Sequence, residues 1–115
     1  MTIDFSLLSA KGAYKSETIA DGVSTETTML DDLQVFKPRR GSIVYCGSDK
    51  AGTLRVYFID RNNADWLIDS TSVAANTLAA LDFDYHVPRY KITFQRTDTS
   101  GANDVWVEGF DYGQS

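Results

Sequence analysis

The sequence predicts an all-β fold, a single antiparallel β-sandwich or jelly-roll-like domain of about eight short strands. The chain has 115 residues, of which 43% are hydrophobic and 23% charged, a composition typical of one soluble domain. Its acidic residues are 13 Asp and only 3 Glu, and Asp favours turns whereas Glu favours helix interiors. Apolar and polar residues alternate in short segments that recur about every 8 to 14 residues, without helices of crossover length between them. A small barrel is the alternative architecture.

The first third of the chain is rich in Thr and Ser. Residues 1–13 follow no sustained period, and we interpret them as an N-terminal arm before a sandwich domain over residues 14–115. The segments 14–20 and 23–30 predict two strands, which the Asp-Gly pair between them would join as a hairpin. Leu33 to Lys37 predicts another short strand, which the following proline ends.

The middle of the chain has the clearest strand pattern. Ser42 to Cys46 is a compact apolar run between two glycines, which predicts a buried strand. In Thr53 to Asp60 apolar residues alternate with Arg and Tyr, which predicts a half-buried antiparallel strand. The polar segment 60–65 then predicts a hairpin loop, and the next strand begins with Trp66-Leu67-Ile68.

The last third contains the one segment where a helix competes with strands. Val73 to Leu81 is rich in Ala and Leu, but it is shorter than the ~12 residues that an isolated helix needs. Leu81 to Val87 and Tyr90 to Gln95 both alternate strictly and predict strands on either side of a proline. Val105 and Val107 are expected to pair with the second of these as a hairpin.

Composition also restricts the chemistry that the chain can perform. The only cysteine is Cys46 and the only histidine is His86, so an intrachain disulfide, a Cys-based zinc site and most His-based catalysis are excluded. The net charge of −5 disfavours nonspecific binding to nucleic acids and anionic membranes. We therefore expect a protein without cofactor, metal or enzymatic activity.

Three small groups of residues are candidates for chemical sites. His86 lies in the polar phase of its strand, where a surface histidine is the simpler interpretation. Asp82 and Asp84 share a strand face, as paired catalytic carboxylates do, but two exposed Asp residues beside apolar core positions are usually the solvated face of a strand. The oxygen-rich loop 60–65 could hold Ca²⁺, although it lacks the Gly and terminal Glu of an EF-hand and matches an ordinary hairpin loop.

Basic residues cluster at two places on this acidic chain, and exposed aromatic residues could serve as anchors. The functional interpretation is docking on the acidic surface of a partner protein, and the alternative is a set of solvated charges. Cys46, between glycines in an apolar run, is interpreted as a buried small hydrophobe. The candidate partner contacts are Lys37, Arg39, Arg40, Arg89 and Trp106.

Several segments together resemble a known class of proteins. They are Tyr45-Cys-Gly-Ser-Asp-Lys-Ala-Gly-Thr-Leu-Arg-Val-Tyr-Phe, Asp65-Trp66, Val73-Ala-Ala-Asn-Thr-Leu and Val87-Pro-Arg-Tyr-Lys-Ile-Thr-Phe. Their order resembles that of small β-sandwich virion proteins of tailed bacteriophages, over roughly residues 41–110. That class includes head decoration or cement proteins and accessory components of tails and fibres.

The resemblance implies a structural role in a virion without catalysis. It implies a capsid decoration protein that binds the major capsid protein or another virion protein, assembles in the host cytoplasm, and forms a homo-oligomer with a trimer favoured. The alternative is a carbohydrate-binding or tail-fibre module for host adsorption, in which Trp66, Trp106 and the 60–65 loop would form the sugar platform. A hydrolase is the third possibility.

Overall fold

The structure is a computed structural model, and it describes residues 13–34, 41–83 and 89–112. These residues form eight strands: β1 (Ala13–Ile19), β2 (Thr27–Gln34), β3 (Gly41–Ser48), β4 (Gly52–Ile59), β5 (Asp65–Val73), β6 (Ala79–Phe83), β7 (Arg89–Arg96) and β8 (Asn103–Tyr112). The described part of the chain contains no helix. No segment in it therefore forms a helix able to cross a membrane.

The strands form two four-stranded antiparallel sheets with jelly-roll connectivity. Sheet 1 has the order β1-β8-β3-β6, and sheet 2 has the order β2-β7-β4-β5. Among the eight strands, only β4 and β5 are both consecutive in sequence and paired with each other. Every other connection crosses from one sheet to the other. This arrangement confirms the predicted all-β sandwich and its jelly-roll character.

The hydrophobic core lies between the two sheets. Alternate residues of the central strands point inward, as the sequence pattern of β4 and β7 predicted. The apolar side chains that are completely enclosed are Val44, Cys46, Leu54, Val56, Ile92, Phe94 and Val107. Burial raises the pKa of the Cys46 thiol to about 12, so the thiol stays protonated at neutral pH, as expected of a buried small hydrophobe.

Two predicted hairpins are wrong in their pairing. β1 pairs with β8 in sheet 1 and β2 pairs with β7 in sheet 2, so the Asp21-Gly22 turn does not join paired strands. β7 and β8 likewise belong to different sheets, and Val105 and Val107 do not pair with β7. Buried and exposed residues alternate along a strand in the same way whether the next strand in sequence lies beside it in the same sheet or across the core in the other sheet. In both cases, therefore, periodicity alone could not predict the pairing.

The structure also corrects the predicted break between residues 30 and 33. A single strand, β2, runs through Asp31 and Asp32, because register shifts between Thr28 and Leu33 insert extra residues opposite β7. The predicted helix alternative over Val73–Leu81 is replaced by the end of β5, a turn and the start of β6. Asn76 occupies that turn with a positive φ of 57°.

A buried arginine ties together two loops at one end of the sandwich. Arg96 is only 2% exposed, and its guanidinium donates hydrogen bonds to four backbone carbonyls. The acceptors lie in the β1–β2 and β7–β8 connections: Ala20 at 2.7 Å, Val23 at 2.8 Å, Thr99 at 2.9 Å and Gly101 at 2.7 Å. The side chain thereby fixes the segment that leads from β1 in sheet 1 to β2 in sheet 2.

Candidate functional site

The outer face of sheet 1 contains an aromatic surface centred on Trp106. This residue is on β8 opposite Gly47 of β3, and a Cβ atom at Gly47 would lie 2.3 Å from the indole Nε1. Only glycine lets the indole lie this close to the β3 backbone. Tyr14 of β1 lies beside it, with ring centroids 6.3 Å apart and ring planes inclined by 24°. The Tyr14 side chain is 58% exposed.

Two depressions open to solvent on either side of Trp106. One has a volume of about 330 Å³ and is lined by Gly47, Ser48, Asp49, Asn76, Thr77, Leu78, Asp104 and Trp106. The other has a volume of about 380 Å³ and is lined by Tyr14, Ser16, Glu17, Thr18, Asp104, Val105 and Trp106. Because both contain Asp104 and Trp106, we treat them as one feature, the Trp106 groove.

The carboxylates of this groove are held in place by neighbouring donors. Asp49 Oδ1 accepts hydrogen bonds from the Asn103 amide at 2.6 Å and from the Asp104 backbone N–H at 2.9 Å. Asp104 Oδ1 accepts one from the Thr18 hydroxyl at 2.8 Å. The hydrogen bond from Asn103, followed by that from the Asp104 backbone, lowers the pKa of Asp49. Both carboxylates therefore have fixed positions, and Asp49 stays charged at neutral pH.

The outer face of sheet 2 is a closed polar network around Glu26. Its carboxylate accepts hydrogen bonds from Tyr57 at 3.0 Å and Thr93 at 2.6 Å, and it forms an ion pair with Arg55 at 3.5 Å. The Arg55 guanidinium also donates to Gln95 at 2.8 Å. Burial raises the pKa of Glu26, but the hydrogen bonds and nearby cations outweigh it, so the pKa is lowered overall. The side chains of Glu26, Arg55, Tyr57, Thr93 and Gln95 on this face thus bond to one another.

The 60–65 loop is the predicted hairpin connection between β4 and β5. Asp60 Oδ1 accepts hydrogen bonds from the backbone N–H groups of Asn62 and Ala64, and its Oδ2 accepts one from the Trp66 indole at 2.9 Å. The hydrogen bond from Trp66, together with those from the backbone, lowers the pKa of Asp60. Both oxygens of Asp60 are thus used to shape the loop and to orient Trp66.

Trp66 and its neighbour Leu67 are an exposed apolar pair on β5, an edge strand of sheet 2, and as successive strand residues they point to opposite sides of that strand. Their side chains are 61% and 56% exposed. Arg89 of β7 braces the loop beside them by donating to Asn63 Oδ1 at 3.0 Å and to the Asp60 carbonyl at 3.3 Å. Lys91 forms an ion pair with Asp65, the first residue of β5.

The structure separates residues that the sequence analysis grouped. Arg89 lies on sheet 2 and Trp106 on sheet 1, so these two candidate contacts do not form one surface. Trp66 and Trp106 also lie on different sheets, so the structure does not bring the two tryptophans of the predicted sugar platform together on one sheet face. Asp82 is exposed on β6. The residues Lys37, Arg39, Arg40, Asp84 and His86, and the predicted arm before Ala13, lie outside the described residues.

Several residues of these surfaces were missed by the sequence analysis. Glu26 lies in a connection, where nothing in the local pattern distinguishes it from any exposed acid. Gly47 and Leu78 acquire their roles only through neighbours that are distant in sequence. The signal for Gly47, a glycine inside a strand, points to a close approach only once its partner Trp106 is known. Within the described residues, no three His, Cys, Asp or Glu side chains are grouped so that they could hold a metal ion.

Comparison with known proteins identifies the fold. No protein-family model matches the chain, and no curated protein matches it significantly. Among solved structures, the PBSX exported protein XepA is similar, with a TM-score of 0.67 and 14% sequence identity. The match covers 90% of this chain and 39% of XepA, so this chain spans less than half of that protein. PirA is similar with a TM-score of 0.58 and 10% identity, over 86% of this chain and 93% of PirA. At these identities the likeness shows a shared β-sandwich fold.

Proposed function

We propose that this chain is a non-enzymatic, virion-associated protein, and specifically a head decoration protein that binds the capsid shell. Residues 41–110 resemble sandwich proteins of phage virions, and the observed fold has the architecture that the resemblance implies. XepA, which shares the fold, is an exported protein. By analogy of fold, we propose that this chain too acts outside the cell, at the surface of a particle.

The observation that carries the proposal is the Trp66–Leu67 pair on edge strand β5. Both side chains are more than half exposed, yet Trp66 is held by Asp60 and its loop is braced by Arg89. A rigid, exposed tryptophan is the kind of residue that supplies most of the energy in protein interfaces. The edge strand beside it can also offer backbone hydrogen bonds to a partner. We therefore assign the particle contact to this surface, with Arg89 as its brace.

The proposed location is tested first by mass spectrometry of separated heads and tails from purified particles. We expect the chain in the heads. Its absence from particles would overturn the virion role, and its presence only in tails would overturn the decoration role in favour of the adsorption module.

The docking surface is tested by adding purified chain to particles that lack it. Wild-type chain should bind and increase their survival at high temperature or low salt, whereas Trp66→Ala should weaken binding by roughly 30-fold, as loss of an interface hot spot does. Tyr14→Ala, which removes an equally exposed aromatic residue from sheet 1, is the matched control and should bind normally. Equal binding of wild type and Trp66→Ala would contradict the assignment.

We also propose that the chain forms a homo-oligomer, with a trimer favoured. Light scattering should then give three times the chain mass of 12.8 kDa. A mass of one chain at concentrations that decorate particles would contradict this part of the proposal.

A further inference from the structure

We propose that the Trp106 groove on sheet 1 is a binding site for a neutral oligosaccharide. The groove and the Trp66–Leu67 pair lie on different sheets, so the inference does not depend on the proposed particle contact. A protein held on a particle through sheet 2 could present sheet 1 to another ligand.

The aromatic surface of the groove suits the apolar face of a sugar. A sugar ring has a face of C–H groups that packs on an aromatic ring, and it needs that ring to be rigid and uncovered. The Trp106 indole is held against the β3 backbone, where Gly47 leaves space for it, and it keeps part of its surface exposed. The Tyr14 ring stacks beside it with centroids 6.3 Å apart and is 58% exposed, so the two rings together offer aromatic area on the outer face of sheet 1.

The carboxylates around this surface keep hydrogen-bonding capacity for a ligand. The hydrogen bonds that Asp49 accepts from Asn103 and from the Asp104 backbone, and the one that Asp104 accepts from Thr18, all end on Oδ1, whereas a carboxylate has about four acceptor positions. A charged oxygen in a fixed position is a strong acceptor for the hydroxyl groups of a sugar. Asn76 and Thr77 lie on the same rim, and their side chains add amide and hydroxyl groups.

The rim itself is positioned by the fold. The turn between β5 and β6 is tied to the end of β3, because the Asn76 backbone N–H donates to the Ser48 carbonyl at 2.7 Å. Leu78, which is 62% exposed, lies on this turn and lines the same depression as Trp106. Apolar and polar groups therefore converge on the groove from β1, β3, β8 and the β5–β6 turn.

The size and charge of the groove favour one class of ligand. Depressions of about 330 and 380 Å³ are large enough for a small ligand, and they lie on either side of one indole, which suits successive rings of an oligosaccharide. Glu17 is paired with Lys15 at 3.0 Å, but the carboxylates of Asp49 and Asp104 repel phosphate and carboxylate groups. Nucleic acids and sialylated glycans are therefore disfavoured, and a neutral saccharide is favoured.

The experiment uses the fact that the chain has only two tryptophans. Trp66→Phe leaves Trp106 as the sole indole, so its fluorescence reports directly on the groove. A glycan array with neutral and sialylated oligosaccharides is probed with the wild-type chain, and bound neutral glycans, together with cellohexaose and chitohexaose, are titrated into Trp66→Phe. We expect binding to neutral glycans and a saturable change in Trp106 fluorescence.

Two variants locate the site without deleting Trp106. Tyr14→Ala should weaken binding roughly two- to tenfold, as loss of one aromatic contact does. Gly47→Ala should weaken it roughly tenfold or more, because the new methyl group displaces the indole while every other lining side chain is kept. Trp66→Ala is the control and should bind normally. Circular dichroism checks that each variant is folded.

A flat array with unchanged Trp106 fluorescence would overturn the proposal, as would binding restricted to sialylated glycans. Binding that Trp66→Ala abolishes and Tyr14→Ala leaves intact would place the site elsewhere and overturn it too. Particle binding by the same variants is a separate measurement, so failure of either proposal can be recognised independently of the other.

Discussion

On both sheets, alternate strand residues form an outer face, but the two faces differ in how fully their polar groups are hydrogen-bonded within the protein. On sheet 2 the Glu26 carboxylate receives the hydroxyl groups of Tyr57 and Thr93, and Thr93 is only 1% exposed. On sheet 1 Asp104 receives one hydroxyl on one oxygen and lies beside the indole of Trp106. A strand face thus becomes a candidate binding face when its acceptors keep unused capacity and its aromatic rings remain accessible.

The difference arises from the connection between β1 and β2. Ser24 and Glu26 of this segment bond to side chains that point outward from sheet 2, whereas the β5–β6 turn only borders the face of sheet 1. Arg96 anchors the same segment through the carbonyls of Ala20 and Val23. Closure of sheet 2 is therefore a property of loop placement rather than of strand composition.

Among the substitutions considered, Arg96→Ala is expected to have the largest effect on the difference between the two faces. Four backbone carbonyls would lose a charged donor in a buried place, so we expect unfolding to become easier by about 3 kcal/mol or more. Urea denaturation measures the loss. Glu26 should also lose part of its hydrogen bonding, because its segment is no longer anchored. An NMR titration of its carboxyl should then show a pKa closer to the ordinary value of 4.5.

Arg96→Lys is the matched control for charge. Lysine keeps the positive charge but lacks the planar fork of donors, so it should restore only part of the stability. A loss of less than about 1 kcal/mol in Arg96→Ala would show that the loops hold their positions without this side chain.

Asn103→Ala tests whether the sheet 1 carboxylates are positioned from beneath. Asn103 is completely buried, its amide donates to Ser48 and Asp49, and its Oδ1 has no partner within the described residues. We expect a loss of about 2 kcal/mol and a rise in the pKa of Asp49, whose main stabilising donor disappears. Denaturation and an NMR titration of Asp49 measure the two effects. An unchanged Asp49 pKa would contradict the proposed positioning.

Much of the strand content could be predicted from the sequence, because alternation reports which side of a strand is buried. The segments of β3, β4 and β7 were found in this way. Pairing could not be predicted, because in a jelly roll consecutive strands cross between sheets, and Asp21-Gly22 looks the same in a hairpin turn and in a crossover. The Trp106 groove was missed for the same reason: Tyr14, Gly47 and Trp106 meet only through the pairing of β1, β3 and β8.

Glu26→Gln tests how much the hydrogen-bonded carboxylate on the outer face of sheet 2 contributes to stability. The folded-state pKa of Glu26 lies below its ordinary value of 4.5, so the carboxylate contributes stability above that pH and loses it as the pH falls through the folded-state pKa. At pH 7 we expect the variant to be less stable by about 1 kcal/mol. The difference from wild type should shrink as the pH falls below the ordinary pKa of 4.5 and through the folded-state pKa. Denaturation of both proteins at pH 7 and at about pH 3.5 checks this, and a constant difference would contradict it.

The smallest effect on stability is expected from Asp60→Asn in the β4–β5 hairpin. Asp60 is exposed to solvent, and asparagine keeps one oxygen to accept backbone N–H groups, so the melting temperature should fall only slightly. The hydrogen bond from the Trp66 indole depends on the second carboxylate oxygen, which asparagine replaces with an amide nitrogen that cannot accept it.

We therefore expect Trp66 to become more mobile in Asp60→Asn. Faster depolarisation of Trp66 fluorescence, measured in a Trp106→Phe background, would show this, and Asp60→Glu should give an intermediate result. If the contact requires Trp66 to be held in place, particle binding should decrease from wild type to Asp60→Glu to Asp60→Asn. Glycan binding, measured in variants that keep both tryptophans, should not change. A freely rotating Trp66 that still binds particles with wild-type affinity would show that rigidity at the sheet 2 edge is not needed for docking.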